Sequence, residues 1–168
     1  MPTQELITVQ EYLSTSYHPD CDYVDGVVLE RNVGEEDHSF LQTELATYFN
    51  VRRKKWGIRV YVEQRVQVAP TRFRVLDLCV VLGSRPEERI FTKPPFICVE
   101  IRSPEDRMQS LQERVADYLK FGVPYVWILD LRARKAWRCT LEGIVEVDEL
   151  RTENPEIRIP FHELFAED

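Results

Sequence analysis

Two acidic residues occupy positions where an acid is costly. Asp77 lies in FRVLDLCVVLG and Glu100 in PPFICVEI, both almost wholly apolar runs. Runs of this kind read as buried central strands. A carboxylate inside one needs a cation, hydrogen bonds or an open cleft. Two of them on adjacent strands suit a hard divalent metal such as magnesium, which takes oxygen ligands from one or two carboxylates and leaves the rest to water and phosphate. That combination is the chemistry of phosphodiester cleavage, where a metal activates water and offsets charge on the transferring phosphate. Either acid alone could instead end a strand at the surface or pair with a core arginine. The pair favours the metal reading. In Glu-Ile-Arg-Ser-Pro, Arg102 follows Glu100 by two residues and is expected on the same strand face, as a cation for hydroxide or the scissile phosphate.

Elements able to position these acids are legible around them. TVQEYLST (8–15) predicts a short helix capped by Thr8, with Tyr12 and Leu13 inward, packing as a lid. The Asp25-Gly26 step between β-rich runs predicts a tight hairpin. From Asp37, the apolar positions Phe40, Leu41, Leu45, Tyr48, Phe49 and Val51 suit a helix capped by Asp37 or Ser39, stopping near the basic run 52–55 and Gly57. IRVYVEQRVQVAP predicts a half-exposed strand ahead of the two acid-bearing ones. A helix is expected from Ser103-Pro104 to Phe121, with Met108, Leu111, Val115, Tyr118 and Leu119 inward and Gly122 as its stop. YVWILDL, KAWRCTL and IRIPFHELF then close the chain. Strands with two substantial helices between them predict an α/β or α+β class around a central mixed sheet.

The chain has 168 residues, 43% hydrophobic and 30% charged, which fits a single folded domain over 1–168. No run approaches the roughly 20 apolar residues of a membrane span, and the start MPTQELITVQEYL lacks a signal-peptide pattern, so a cytoplasmic protein is expected. Cys21, Cys79, Cys98 and Cys139 show no CxxC spacing and read as reduced core residues. A net charge of −7 argues against a general affinity for polyanions, although Arg52, Arg53, Lys54 and Lys55 cluster. That cluster could contact phosphates or simply end a helix. No Ser/His/Asp, Cys/His or phosphate-loop pattern supports a different chemistry.

Several blocks together resemble a known family. They are TVQEYL, YVDG at 23–26, His38 opening a helix, LDLCVV around Asp77, VEIRSPED at 99–106 and DYLKFGVPYVWILD at 117–130. The last two, at their separation, are the specific part of the resemblance to the Uma-two family of restriction endonucleases, within the PD-(D/E)XK nuclease superfamily. The resemblance implies a restriction-endonuclease-like core, a mixed sheet flanked by helices. It also implies that Asp77 and Glu100 are ligands for magnesium or manganese in a DNA-cleaving site, often used as a homodimer.

The same resemblance exposes departures. The superfamily's lysine two residues after the glutamate is Arg102 here, and the helix lysine that substitutes in the family, one turn before Tyr118, is Arg114. Arginine stays protonated and offers a planar fork, so it can hold phosphate but accepts a proton poorly. The acid usual after the Asp-Gly step is absent, with Glu30 the nearest carboxylate, and another before the helix lysine is Ser110. Reduced activity, or a nuclease fold that only binds DNA or protein, is the alternative expectation. An arginine bridging both acids would mark that outcome. His38 could orient substrate or be a polar helix-start residue, and Glu44 could complete a metal site or face water.

Overall fold

Two consecutive left-handed residues make the turn of the first β-hairpin among the described residues. Asp25 (φ 49°) and Gly26 (φ 96°) join β1 (Asp22–Val24) to β2 (Val27–Leu29). Both central residues of a type I′ turn need positive φ, which an Asp-Gly step supplies cheaply. A Cβ at Gly26 would also come within 3.2 Å of the Leu6 side chain. The computed structural model describes residues 3–165.

Against this hairpin packs α1 (Val9–Leu13), capped by Thr8, whose hydroxyl accepts the Glu11 amide at 3.1 Å. Five residues leave room for one inward side chain, and Tyr12 takes it: fully buried, it stacks on Tyr23 at 5.0 Å and donates its hydroxyl to the Cys21 carbonyl at 2.6 Å. Leu13, expected inward, is exposed. The next helix, α2 (Glu36–Val51), begins just ahead of both expected caps; Glu35 holds the cap position without a side-chain bond. Its buried stripe is His38, Leu41, Leu45 and Phe49, whereas Phe40 and Val51 are exposed. A one-turn helix, α3 (Arg53–Trp56), stops at Gly57 with φ 64°.

The remaining elements are β3 (Ile58–Ala69), β4 (Arg72–Leu82), β5 (Ile97–Ile101), α4 (Met108–Phe121), β6 (Tyr125–Asp130), β7 (Lys135–Thr140), β8 (Gly143–Val147), β9 (Glu149–Thr152) and β10 (Ile157–Pro160), with a 3₁₀ turn at Phe161–Phe165. The order in the main sheet is β2-β1-β4-β5-β6-β7-β8, with β3 along the other edge of β4. Only β5 and β6 run parallel, because α4 carries the chain back between them. The sheet is therefore mixed, as expected. A small β9–β10 ribbon forms a second sheet whose Leu150, Ile157 and Ile159 pack into the same core as α2.

Helices cover both faces. Leu41, Leu45 and Phe49 of α2 pack with Leu78, Val80, Val99 and Trp127, while Leu111, Val115 and Tyr118 of α4 pack with Leu76, Cys79, Cys98 and Ile128. The α4 helix starts at Met108 rather than at Ser103, because Asp106 turns back to accept the Ser103 amide at 2.8 Å and holds 103–107 as a separate turn. Met108, expected inward, is exposed. All four cysteines are buried and free. Among the described residues no helix is long and apolar enough to cross a membrane.

Candidate functional site

Asp77 lies where two long strands turn over. The β3–β4 ladder pairs Val62 with Leu78 and Gln64 with Leu76, which puts Glu63 opposite Asp77 and outside the ladder, with φ 52°. Residues two apart in a regular strand share a face. Here Leu78 packs beneath α2 and Leu76 beneath α4, and in β3 Val60 packs with the α2 cluster and Val66 with the α4 cluster. The inner face thus changes at Glu63 and Asp77, pointing a carboxylate into the seam between the two cores.

Three different segments satisfy that carboxylate. Arg31, in the connection from β2 to α2, donates to Asp77 Oδ1 at 2.7 Å; His38 Nε2 on α2 lies 3.1 Å from the same oxygen; and the Ile101 amide at the end of β5 donates to Oδ2 at 2.8 Å. Asp77 is only 3% exposed, and burial alone would raise its pKa. His38, Arg31 and the Ile101 amide outweigh burial and bring it down to about 2. His38 moves upward: burial opposes its protonation, and the facing Asp77 carboxylate more than compensates.

Glu100 is the next step of the neighbouring ladder. The β4–β5 register pairs Leu78 with Val99, so continuing it by one residue sets Asp77 opposite Glu100. With Cys98, Glu100 belongs to the α4 side of β5. Tyr118 donates its hydroxyl to Glu100 Oε1, and Arg114, one turn earlier on α4, places Nη2 3.5 Å from Oε2. Arg114 also lies 3.9 Å from Asp106. Glu100 is fully buried, and its Oε2 has no hydrogen-bond partner. Burial, reinforced by the Asp77 charge, pushes its pKa up to about 8; Arg114, Tyr118 and Arg31 pull the other way without cancelling that.

The fold therefore gathers Asp77, Glu100, Arg114, Tyr118 and His38 into one region. It does not gather the rest. Arg102 follows the last residue of β5, so strand alternation no longer directs it, and its ion pair is with Asp130 at 3.9 Å rather than with Glu100. Glu44 and Glu30 are exposed, and the described hydrogen bonds and ion pairs of the two acids go to other residues. Three residues that sequence reasoning passed over complete the site. Arg31 is the first: its Nη1 donates to Glu63 Oε2 at 2.6 Å while its other arm holds Asp77. Glu63 is the second. Gln42 is the third, donating to Glu63 Oε1 at 2.9 Å and to the Asp77 carbonyl at 2.7 Å. A lone arginine after a hairpin carries no signal. A faint one existed for Glu63, since it interrupts an alternating strand with a charge.

The donor set is hard oxygen, from Asp77, Glu100 and Glu63, and the partnerless Glu100 Oε2 is an unused acceptor. By chemistry these residues fit a divalent cation such as magnesium or manganese. Their charge is already countered, however, by Arg31 on Asp77 and Glu63 and by Arg114 on Glu100. Among the described residues, no group of three His, Cys, Asp or Glu side chains is arranged to hold a metal, and no single arginine ion-pairs with both Asp77 and Glu100. Beside the site opens a cavity of about 350 Å³, lined in part by His38, Ile101, Arg102, Asp130 and Arg132. His38 thus forms both its wall and a contact of Asp77.

Comparison with known proteins adds to this geometry. No curated protein matches the sequence. A crystal structure titled as a putative nuclease from Anabaena variabilis superposes with a TM-score of 0.81 at 20% identity, covering 95% of this chain and 97% of that one. At that identity the likeness is one of fold, and it matches the mixed sheet with helices on both faces. A family model described as "Putative restriction endonuclease" matches residues 9–165, which include every strand of the main sheet and every residue of the site. The chain belongs to the Uma2 family.

Proposed function

We propose that this protein is a divalent-cation-dependent endonuclease that hydrolyses phosphodiester bonds in DNA, with residues 1–168 acting as one domain. The observation that supports it most is the meeting of Asp77 and Glu100 across β4 and β5, each reached by polar groups from a separate element. A magnesium or manganese ion, when bound, would supply Lewis acidity and a water of lowered pKa. Asp77 and Glu100 would be its ligands. The Ile101 amide fixes the rotation of Asp77, and Tyr118 fixes that of Glu100. Arg114 stays charged throughout, because Glu100 beside it outweighs burial and holds its proton. Its role is to hold a phosphate oxygen, not to remove a proton.

From the cavity side, His38, Arg102 and Arg132 are groups able to orient the scissile phosphate. Restriction-type nucleases often cut two strands with two copies, so a homodimer belongs to this reading. Reduced, buried thiols suit a reducing compartment such as the cytoplasm. Purified protein is incubated with plasmid DNA and manganese beside Asp77→Ala. Nicking or linearisation by wild type that falls at least about 100-fold in the variant is the expected result. Equal cutting by both, or none by wild type, defeats the reading.

A second reading, a nuclease fold that binds DNA or protein without cutting, draws on one observation: both acids already have arginine partners. Arg114→Lys separates the two. Lysine restores a compact ammonium whose pKa can fall on burial. Cleavage gained by that variant indicates a site one residue short of activity, whereas metal-independent DNA binding with no cleavage in either form supports the binding module.

A further inference from the structure

Arg31 bridges carboxylates that stand on facing positions of two adjacent strands. Its side chain is 2% exposed, and one nitrogen reaches Glu63 Oε2 at 2.6 Å while the other reaches Asp77 Oδ1 at 2.7 Å. The two carboxylates belong to facing positions of β3 and β4, at the place where both strands turn over. Glu63 takes the left-handed conformation there. That conformation is strained for a residue with a Cβ and persists only where surrounding structure enforces it. Gln42 anchors the arrangement from α2 by bonding both Glu63 and the Asp77 backbone. A single positive charge therefore bridges two oxygens from neighbouring strands, which is the position a divalent ion takes between two carboxylates.

We infer that Glu63 and Asp77 form a divalent-cation cradle closed by Arg31, an internal cation that must swing out before magnesium or manganese can enter. This rests on the proposed nuclease reading for its biological sense but extends the ligand set by Glu63. Two positive charges a few ångströms apart in that space repel each other even where the effective dielectric constant is about 20. Glu63 is the ligand with freedom to follow the ion, since its side chain is 37% exposed while that of Asp77 is 4% exposed. Arg31 leads from the β2 hairpin into α2, and among the described residues its side-chain hydrogen bonds go to the two acids. Its Nε lacks a partner altogether.

The test reads metal binding rather than cleavage. Manganese is titrated calorimetrically into the purified full-length chain, in wild type, Arg31→Gln and Arg31→Gln combined with Glu63→Gln. Arg31→Gln is expected to bind at least about tenfold tighter than wild type, because one like charge has left the site. The double variant is expected to lose that gain. Equal affinity in wild type and Arg31→Gln overturns the inference, as does a gain that survives removal of Glu63. Circular dichroism checks that each variant is folded. Should Arg31→Gln not fold, Arg31→Met decides: it also removes the charge, so a tightening relative to wild type supports the cradle and an unchanged affinity refutes it. Because DNA is absent, a protein without nuclease activity can still pass this test, and an active nuclease can still fail it.

Discussion

At the scale of single residues, the two acids titrate in opposite senses. Asp77, near 2 in the fold against 3.8 for a free side chain, stabilises the protein at any pH above its unfolded value and loses that contribution as pH falls towards 2. Glu100 is the reverse case. With a pKa of about 8 in the fold against 4.5, it binds its proton more tightly when folded, so stability declines as pH rises from 4.5 to 8. Between pH 5 and 8 the Asp77 contribution is constant, and His38, whose pKa is also raised, titrates in both wild type and a Glu100 variant, so Glu100 drives the difference between them. Glu100→Gln, which keeps the shape and cannot ionise, is expected to gain melting temperature relative to wild type as pH is raised from 5 to 8. Thermal melts of both proteins across that range check it; parallel curves would refute the shift.

At the scale of elements, the sequence showed where strands run but not where they turn over. Apolar runs around Asp77 and Glu100 identified β4 and β5, and Gly122 marked the end of α4 correctly, because each relies on local chemistry; Gly57 ends the short α3, whereas the helix it was expected to stop, α2, already ends at Val51. The unread strands were β8 and β9. GIVEV in β8 is exposed at nearly every position, so it lacks the buried alternation that identifies a strand. The Asp37 and Ser39 caps failed for a different reason: the helix start is set by burial of His38 against Asp77, a tertiary contact. Asp77, Glu100, Arg114 and Tyr118 could be named because they lie in recognisable blocks. Arg31, Gln42 and Glu63 could not, since only the folded chain brings residues 31, 42 and 63 together. The α2 stripe also supports a direct expectation. Leu45→Ala, removing a fully buried side chain from the α2 cluster, should cost about 2–5 kcal/mol in urea unfolding. A loss below about 1 kcal/mol would mean that the cluster repacks freely.

At the scale of the whole molecule, the ionic seam through the centre is a specification as much as a site. Asp22, Arg74 and Asp117 form a second buried network beside it, with Arg74 donating to Asp22 at 3.0 Å and to Asp117 at 2.7 Å. Together the two networks tie β1, β4, β5, α2 and α4 to one arrangement. A buried ion pair adds little net stability, yet breaking one leaves an uncompensated charge. The hydrophobic clusters on either side would tolerate small slips that this seam forbids. That is a physical reason for the chain to fold to one register although its apolar runs are similar.

The four cysteines offer an experimental handle of another kind. Cys79, Cys98 and Cys139 are at most 2% exposed and Cys21 is 6% exposed, and burial raises the thiol pKa of each. A thiol that is both shielded and protonated does not react until the structure around it opens. Alkylation by a maleimide is therefore a clock for local opening, with Cys21 beside the hairpin, Cys79 and Cys98 at the centre of the sheet and Cys139 on β7. Native protein is expected to stay unlabelled, with Cys21, beside the short α1 helix, reacting first and the pair Cys79 and Cys98, facing each other on β4 and β5, reacting last. Peptide mass mapping at timed intervals would turn that order into a record of how the molecule comes apart.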